Sequence, residues 1–221
     1  AHIHVINPWY TTLRTLNLKD RGGSASIIET QLLTETHISN TLERNDLPMR
    51  KHGCPAIIDI EASGFGSYSY PIEIGVVKGN GERYCALIRP EKDWQHWCVK
   101  AEAIHGISRQ KIETAGRCPR DICIELNQFM GNATVYSDAW AHDSPWLNRL
   151  FFAARINPRF HLSPIELITS EAQLMEWDEA KRRLERQLDI RRHRASCDAY
   201  LIQQTYLYTR NLVDSFPPLA R

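Results

Sequence analysis

The sequence predicts an α/β domain in which a mixed sheet is covered by helices, and three observations lead there. Short β-branched runs come first, at "AIIDI", "IEIGVVK" and "RYCALIR", and the last two are joined by "GNGE", which has hairpin chemistry. Stretches with one apolar stripe at helical spacing follow, alternating with further strand candidates. Strands in a meander and then alternation with helices is the order of a mixed sheet with helices on its faces.

Taken in chain order, residues 1 to 50 stand apart. They hold a strand candidate "HIHVI", a break at "RGGSAS", and a polar helix-like stretch over residues 27 to 44 with apolar Ile28, Leu32, Ile38 and Leu42. No chemistry is visible there, so the segment is expected to be an N-terminal extension that packs, forms a homodimer or docks a protein partner. The orderly pattern covers residues 54 to 215. After the three-strand meander, "WCVKAEAIHG" reads as a helix. "PRDICIELNQFMG" reads as another, with Pro119 at its start, Ile122, Leu126, Phe129 and Met130 on one stripe, and Gly131 where it stops. "ATVYS" is the fourth strand. "SPWLNRLFFAARI" predicts a helix with Ser144 as N-cap and Pro145 at its first position. "IELI" is the candidate fifth strand. Ser170 and Gln173 form a capping box for a helix over Glu171 to Leu188, and a last helix runs from Ser196 to Arg210.

Composition bounds the function. With 221 residues, 43% of them hydrophobic, the chain can bury a substantial core. No window approaches the roughly 18 to 20 apolar residues of a membrane span, and "AHIHVINPWY" lacks the charged and apolar regions of a signal peptide. A net charge of +1 argues against a protein that coats long duplexes. Positive charge is concentrated in "KRRLERQLDIRRHR", residues 181 to 194. Six cysteines with no C-x-x-C read as thiols in a reducing compartment, with the cytoplasm as the default. His96, Cys98 and His105, or Cys118 with Cys123, match no common zinc spacing, and small buried hydrophobes is the better reading of the cysteines.

The chemistry begins with "CPAIIDIEASGFG", residues 54 to 66, an apolar strand carrying two acids. Side chains at i and i+2 share a face, so Asp59 and Glu61 stand about 6.7 Å apart. At an effective dielectric near 20 their repulsion costs about 2.5 kcal/mol before desolvation. A hard divalent cation would turn that repulsion into binding; neutralisation by Arg or Lys partners is the structural alternative. Further acids lie where open sheets bind ligands, at the carboxyl ends of strands. "YSDAWAHDSPWL" offers Asp143 and, competing with it, Asp138. "HRASCDAYLI" offers His193 and, five residues on, Asp198 in the first turn of the final helix. A histidine beside clustered carboxylates is suited to take a proton from water.

"DIEASG", the strand followed by an acid in "YSDAWAHDSPWL", and "HRASCD" with its H-x4-D spacing together resemble the three motifs of the DEDDh, proofreading-subunit-like, 3′-to-5′ exonucleases. "AIHGIS" is similar to a fourth segment of these enzymes. The resemblance spans about residues 54 to 210. It implies a ribonuclease H-like fold with a five-stranded mixed sheet, and two divalent cations, Mg²⁺ or Mn²⁺, held by Asp59, Glu61, Asp143 and Asp198, with His193 as general base. Asp143 is preferred to Asp138 because "DSPWLNRL" places an acid before an apolar helix. The implied substrate is a single-stranded or frayed nucleic acid 3′ end, DNA favoured, released as nucleoside 5′-monophosphates. Ser63, Phe65, His105 and Arg194 are the implied nucleic-acid contacts, Phe65 by stacking. An exoribonuclease and a non-catalytic binding module of the same fold are the alternatives.

Overall fold

The structure, a computed structural model, describes residues 53–215; the strand and helix expected within residues 1 to 50 lie outside these. Five strands form one sheet in the order β3-β2-β1-β4-β5: β1 (Ala56–Ala62), β2 (Pro71–Val77), β3 (Arg83–Leu87), β4 (Thr134–Ser137) and β5 (His161–Pro164). β1, β2 and β3 form the antiparallel meander expected from the sequence, while β4 and β5 run parallel to β1. The helices are α1 (Val99–His105), α2 (Arg109–Ala115), α3 (Pro119–Met130), α4 (Trp140–Ala154), α5 (Glu171–Gln187) and α6 (Ala195–Ser215). The expected α/β class and mixed five-stranded sheet are therefore present.

Period two explains how β1 divides its residues. Ile58 and Ile60 face one side, into the larger core with Ile72, Ile74, Val76, Leu126 and Leu150. Ile57 faces the other side, with Val77, Trp177, Ile202 and Tyr206. Asp59 and Glu61 have the parity of Ile57, so they continue that second face towards the carboxyl end of the strand. Their partners across the ladder are Gly75 and Glu73. One face of the β1–β2 pair thus changes from apolar at Ile57 and Val77 to acidic at Glu61 and Glu73, and α6 lies along the change. Its later turns bury Ile202 and Tyr206, while its first turn sits on Gly75. A Cβ on Gly75 would lie 2.3 Å from the Ala195 carbonyl carbon and the Ser196 nitrogen, so only glycine admits the helix there.

Three local expectations change. The fifth strand is His161–Pro164, paired residue by residue with β4, and "IELI" is a short 3-10 turn over Ile165–Ile168. Ile165 is buried and Leu167 is 73% exposed, a pattern one turn satisfies and an edge strand does not require. Helix α4 starts at Trp140, with Pro145 inside it. The Ala139 carbonyl accepts from the His142 and Asp143 N–H groups at 2.8 and 3.0 Å, which builds a turn ahead of the Ser-Pro pair and brings Asp143 into the helix. Helix α2 was not anticipated, although Ser108 marks its start by accepting the Lys111 N–H. The capping box of Ser170 and Gln173 is formed as read. No described helix is long and apolar enough to cross a membrane.

Candidate metal centre

The acids converge from three chain segments. Asp59 and Glu61 come from the central strand, Asp143 from the first turn of α4, and Asp198 from the first turn of α6. Asp143 is 1% exposed and Asp198 6%. Burial and the neighbouring charges of Asp143, Asp198, Glu61 and Asp138 push the Asp59 carboxyl well above its ordinary range. Burial, reinforced by Asp198 and Glu73 and opposed by Arg194 and Arg192, lifts Glu61 to about 7. Asp143 is also raised to about 7, again chiefly by burial, although the Ser137 hydroxyl that donates to its Oδ2 at 2.5 Å pulls the other way. Isolated buried anions this close together are costly unless a cation joins them.

Donor atoms of Glu61, His193 and Asp198 all lie within 4.8 Å of one another, and no other group of three such ligands occurs among the described residues. This excludes a zinc set built on His96, Cys98 and His105 or on Cys118 and Cys123; all the described cysteines are free thiols. The carboxylate oxygens of Glu61 and Asp198 suit a hard divalent cation, with His193 beside them, and among the described residues no ion pair reaches Asp59, Glu61 or Asp143. The residues present therefore fit such an ion.

Asp138, the competitor of Asp143, is taken by the Lys181 ammonium at 2.5 Å. It lies near enough to raise Asp59 and Asp143, yet its carboxylate has a cation of its own. The structure brings Asp143 to the cluster and leaves Asp138 paired at the rim.

His193 stands on the turn between α5 and α6, where Asp189 and His193 adopt left-handed φ values of 46° and 60°. Asp and His are among the non-glycine residues that enter this region most readily, and the residues just after His193 are anchored by Glu73. Arg194 donates through Nε and Nη2 to the Glu73 carboxylate at 2.5 to 3.1 Å, and the Ala195 N–H donates to the same group at 2.9 Å. Glu73 is 1% exposed. The pair locks the end of the turn to β2, so that His193 projects beside Asp198. Sequence reasoning missed Glu73, although an acid within "PIEIGVV" is the same anomaly that singled out Asp59.

The expected nucleic-acid contacts are placed unequally. Phe65 is 65% exposed on the loop after β1 and Tyr68, not singled out in the sequence, is 78% exposed; Trp146 and Arg149 of α4 hold that loop by hydrogen bonds to Ser69. His105 is buried; its Nδ1 accepts the Ile107 N–H at 3.0 Å and its Nε2 has no partner among the described residues. Burial lowers its pKa, which keeps the ring neutral with a hydrogen on Nε2 to donate. Ser63 is enclosed instead of presented, fully buried with its hydroxyl accepting the Tyr70 N–H. Arg194 is likewise engaged by Glu73 instead of facing solvent. Arg192, whose place in the basic run beside His193 suggests a phosphate contact, instead donates from Nε to Asp198 Oδ1 at 2.7 Å, and the Arg194 N–H takes the other Asp198 oxygen at 2.9 Å.

No family model matches the chain, and no curated protein sequence matches it. Solved structures match in fold. Escherichia coli exonuclease I in complex with a dA16 oligonucleotide aligns with a TM-score of 0.53 and 14% identity, over 74% of this chain and 41% of that one. The zinc-bound form of the E. coli exonuclease I–single-stranded DNA complex gives 0.54 and 15%, with the same coverage. A moderately thermophilic exonuclease I from Methylocaldum szegediense gives 0.56 and 14%, over 75% and 42% of the two chains. The chain spans about two-fifths of the length of these proteins. At such identity the likeness establishes the fold, the ribonuclease H-like sheet with its helices.

Proposed function

We propose that the protein is a metal-dependent 3′-to-5′ exonuclease acting on single-stranded or frayed 3′ ends, with DNA favoured. The observation that carries this reading is the convergence of Asp59, Glu61, Asp143 and Asp198 beside His193, in the fold of exonuclease I. The four carboxylates would hold two divalent cations, Mg²⁺ or Mn²⁺. When bound, these supply neutralisation of phosphate charge and a low-pKa water. His193, held in its turn by Glu73 and Arg194, accepts a proton from the attacking water. Phe65, beside Tyr68, offers an apolar face to the terminal base. The buried Nε2–H of His105 needs a partner, and a sugar hydroxyl is one it can serve.

One observation favours the non-catalytic reading, which is the guanidinium of Arg192 on Asp198. A single experiment separates the two: digestion of 5′-labelled single-stranded DNA and RNA of equal sequence with Mg²⁺, Mn²⁺ or EDTA. A cation-dependent ladder that shortens from the 3′ side, faster on DNA, is the expected result. No product with either cation overturns catalysis, and faster RNA cleavage overturns the sugar preference.

A further inference from the structure

Resting on the reading of Asp198 as a metal ligand, we propose that Arg192 is a tethered competitor for that ligand, a guanidinium that must yield Asp198 Oδ1 before the cation site is complete.

The geometry is that of a bridge. Arg192 gives Nε to Asp198 Oδ1 at 2.7 Å and Nη1 to Glu185 Oε2 at 3.0 Å, joining the last turns of α5 to the first turn of α6. The side chain of Asp198 is 9% exposed, against 31% for Arg192 and 34% for Glu185. The oxygen that Arg192 holds is therefore nearly dry while its other anchor is wet. The second Asp198 oxygen accepts the Arg194 N–H, so both oxygens already have a donor, and Oδ1 is the one whose donor carries a full positive charge. A carboxylate oxygen cannot keep a 2.7 Å guanidinium contact and also admit a divalent ion at bonding distance without strong repulsion between the two cations.

Glu185 makes the displacement reversible. A guanidinium pushed off Asp198 keeps its salt bridge to α5 and stays within reach of the site. Arg192 also lies directly before His193 in the turn with two left-handed residues, so its movement is coupled to the segment that presents the candidate base. Glu73 has Arg194 permanently, with no ligand role to surrender. Two adjacent arginines thus serve different ends: Arg194 fixes the turn, and Arg192 neutralises the acid cluster when cations are scarce and sets the concentration at which they enter.

Linkage gives the test its sign. Whatever free energy the Arg192–Asp198 contact contributes is subtracted from metal binding, so removing it should tighten binding. A residue that merely braces the turn would, once removed, loosen it. In calorimetric titrations with Mn²⁺ at pH 8, Arg192→Ala is expected to bind about tenfold more tightly than wild type, with Arg192→Lys in between. Unchanged or weaker binding by a folded Arg192→Ala protein overturns the inference and leaves the metal reading standing. No Mn²⁺ binding by wild type, or binding untouched by Asp59→Asn, removes the metal reading itself. Should Arg192→Ala fail to fold, wild type decides alone: its ¹⁵N-labelled Arg192 Nε–H resonance should move in step with Mg²⁺ saturation, and a resonance that stays fixed at saturating Mg²⁺ overturns the inference.

Discussion

Glu73 and Glu61 face each other across the β1–β2 ladder, the same residue type on the same face of the same sheet, and they meet opposite fates. Glu73 receives the Arg194 fork and a backbone N–H, which saturates it. Glu61 has no guanidinium in contact among the described residues and is pushed to about 7. Whether a buried acid belongs to the scaffold or to the site is thus set by which positive group reaches it. Like charges directly opposite on a sheet destabilise each other; here one member is neutralised by Arg194 and the other is raised to about 7, which lessens the charge they share.

The largest effect expected from breaking this division is on the open side. Asp59→Asn and Glu61→Gln should each reduce 3′ shortening of labelled DNA by about a thousandfold or more, yet raise the melting temperature in EDTA because a buried repulsion is removed. A melting temperature that falls instead would place these acids in the scaffold with Glu73. His193→Ala should lower kcat about 10² to 10⁴-fold while calorimetric metal binding stays close to wild type; full turnover between pH 6 and 9 would end its role as the base.

On the closed side the order reverses. Glu73→Gln leaves the Arg194 charge half-buried and frees the turn, and should cost roughly 3 kcal/mol in urea unfolding. Activity should fall with it, through displacement of His193 and not through loss of a ligand, so metal affinity should change less than in Asp59→Asn.

The smallest effect is a pH dependence that sharpens the contrast. Glu61 and Asp143 are raised to about 7, so in EDTA the folded chain holds protons that the unfolded chain has released from about pH 4. Their contribution to stability is fully present below about pH 4 and is lost as the pH rises through about 7. Metal affinity should run the other way, increasing up to about pH 7 as the ligands deprotonate. Melting curves in EDTA and calorimetry with Mn²⁺ over pH 5 to 8 check both slopes, and Glu61→Gln should flatten each of them.

Much of this site was legible because its signals are local. Period two in "AIIDIEA" puts Asp59 and Glu61 on one face whatever the rest of the chain does, and the capping box at Ser170 and Gln173 is complete within four residues. Such reasoning prefers Asp143 to Asp138, since "DSPWLNRL" puts an acid before an apolar helix, but it does not show what each carboxylate meets. Both follow β4 closely, and the choice depends on Lys181, 43 residues away from Asp138, and on an extra helical turn built on the Ala139 carbonyl. The same holds for "IELI", whose apolar content suits a strand or a turn until β5 has taken the edge of the sheet.

The three-strand meander, the parity that sets acids against isoleucines, and the H-x4-D spacing ahead of the last helix were determined by the sequence itself, since steric and helical periods act over a few residues. Which carboxylates are spoken for was decided only by the tertiary structure. Arg194 lies 121 residues from Glu73, and Arg192 reaches Asp198 and Glu185 across the turn between α5 and α6. Electrostatic pairing depends on distance in space and on exclusion of water, and neither exists until the sheet and α6 have packed.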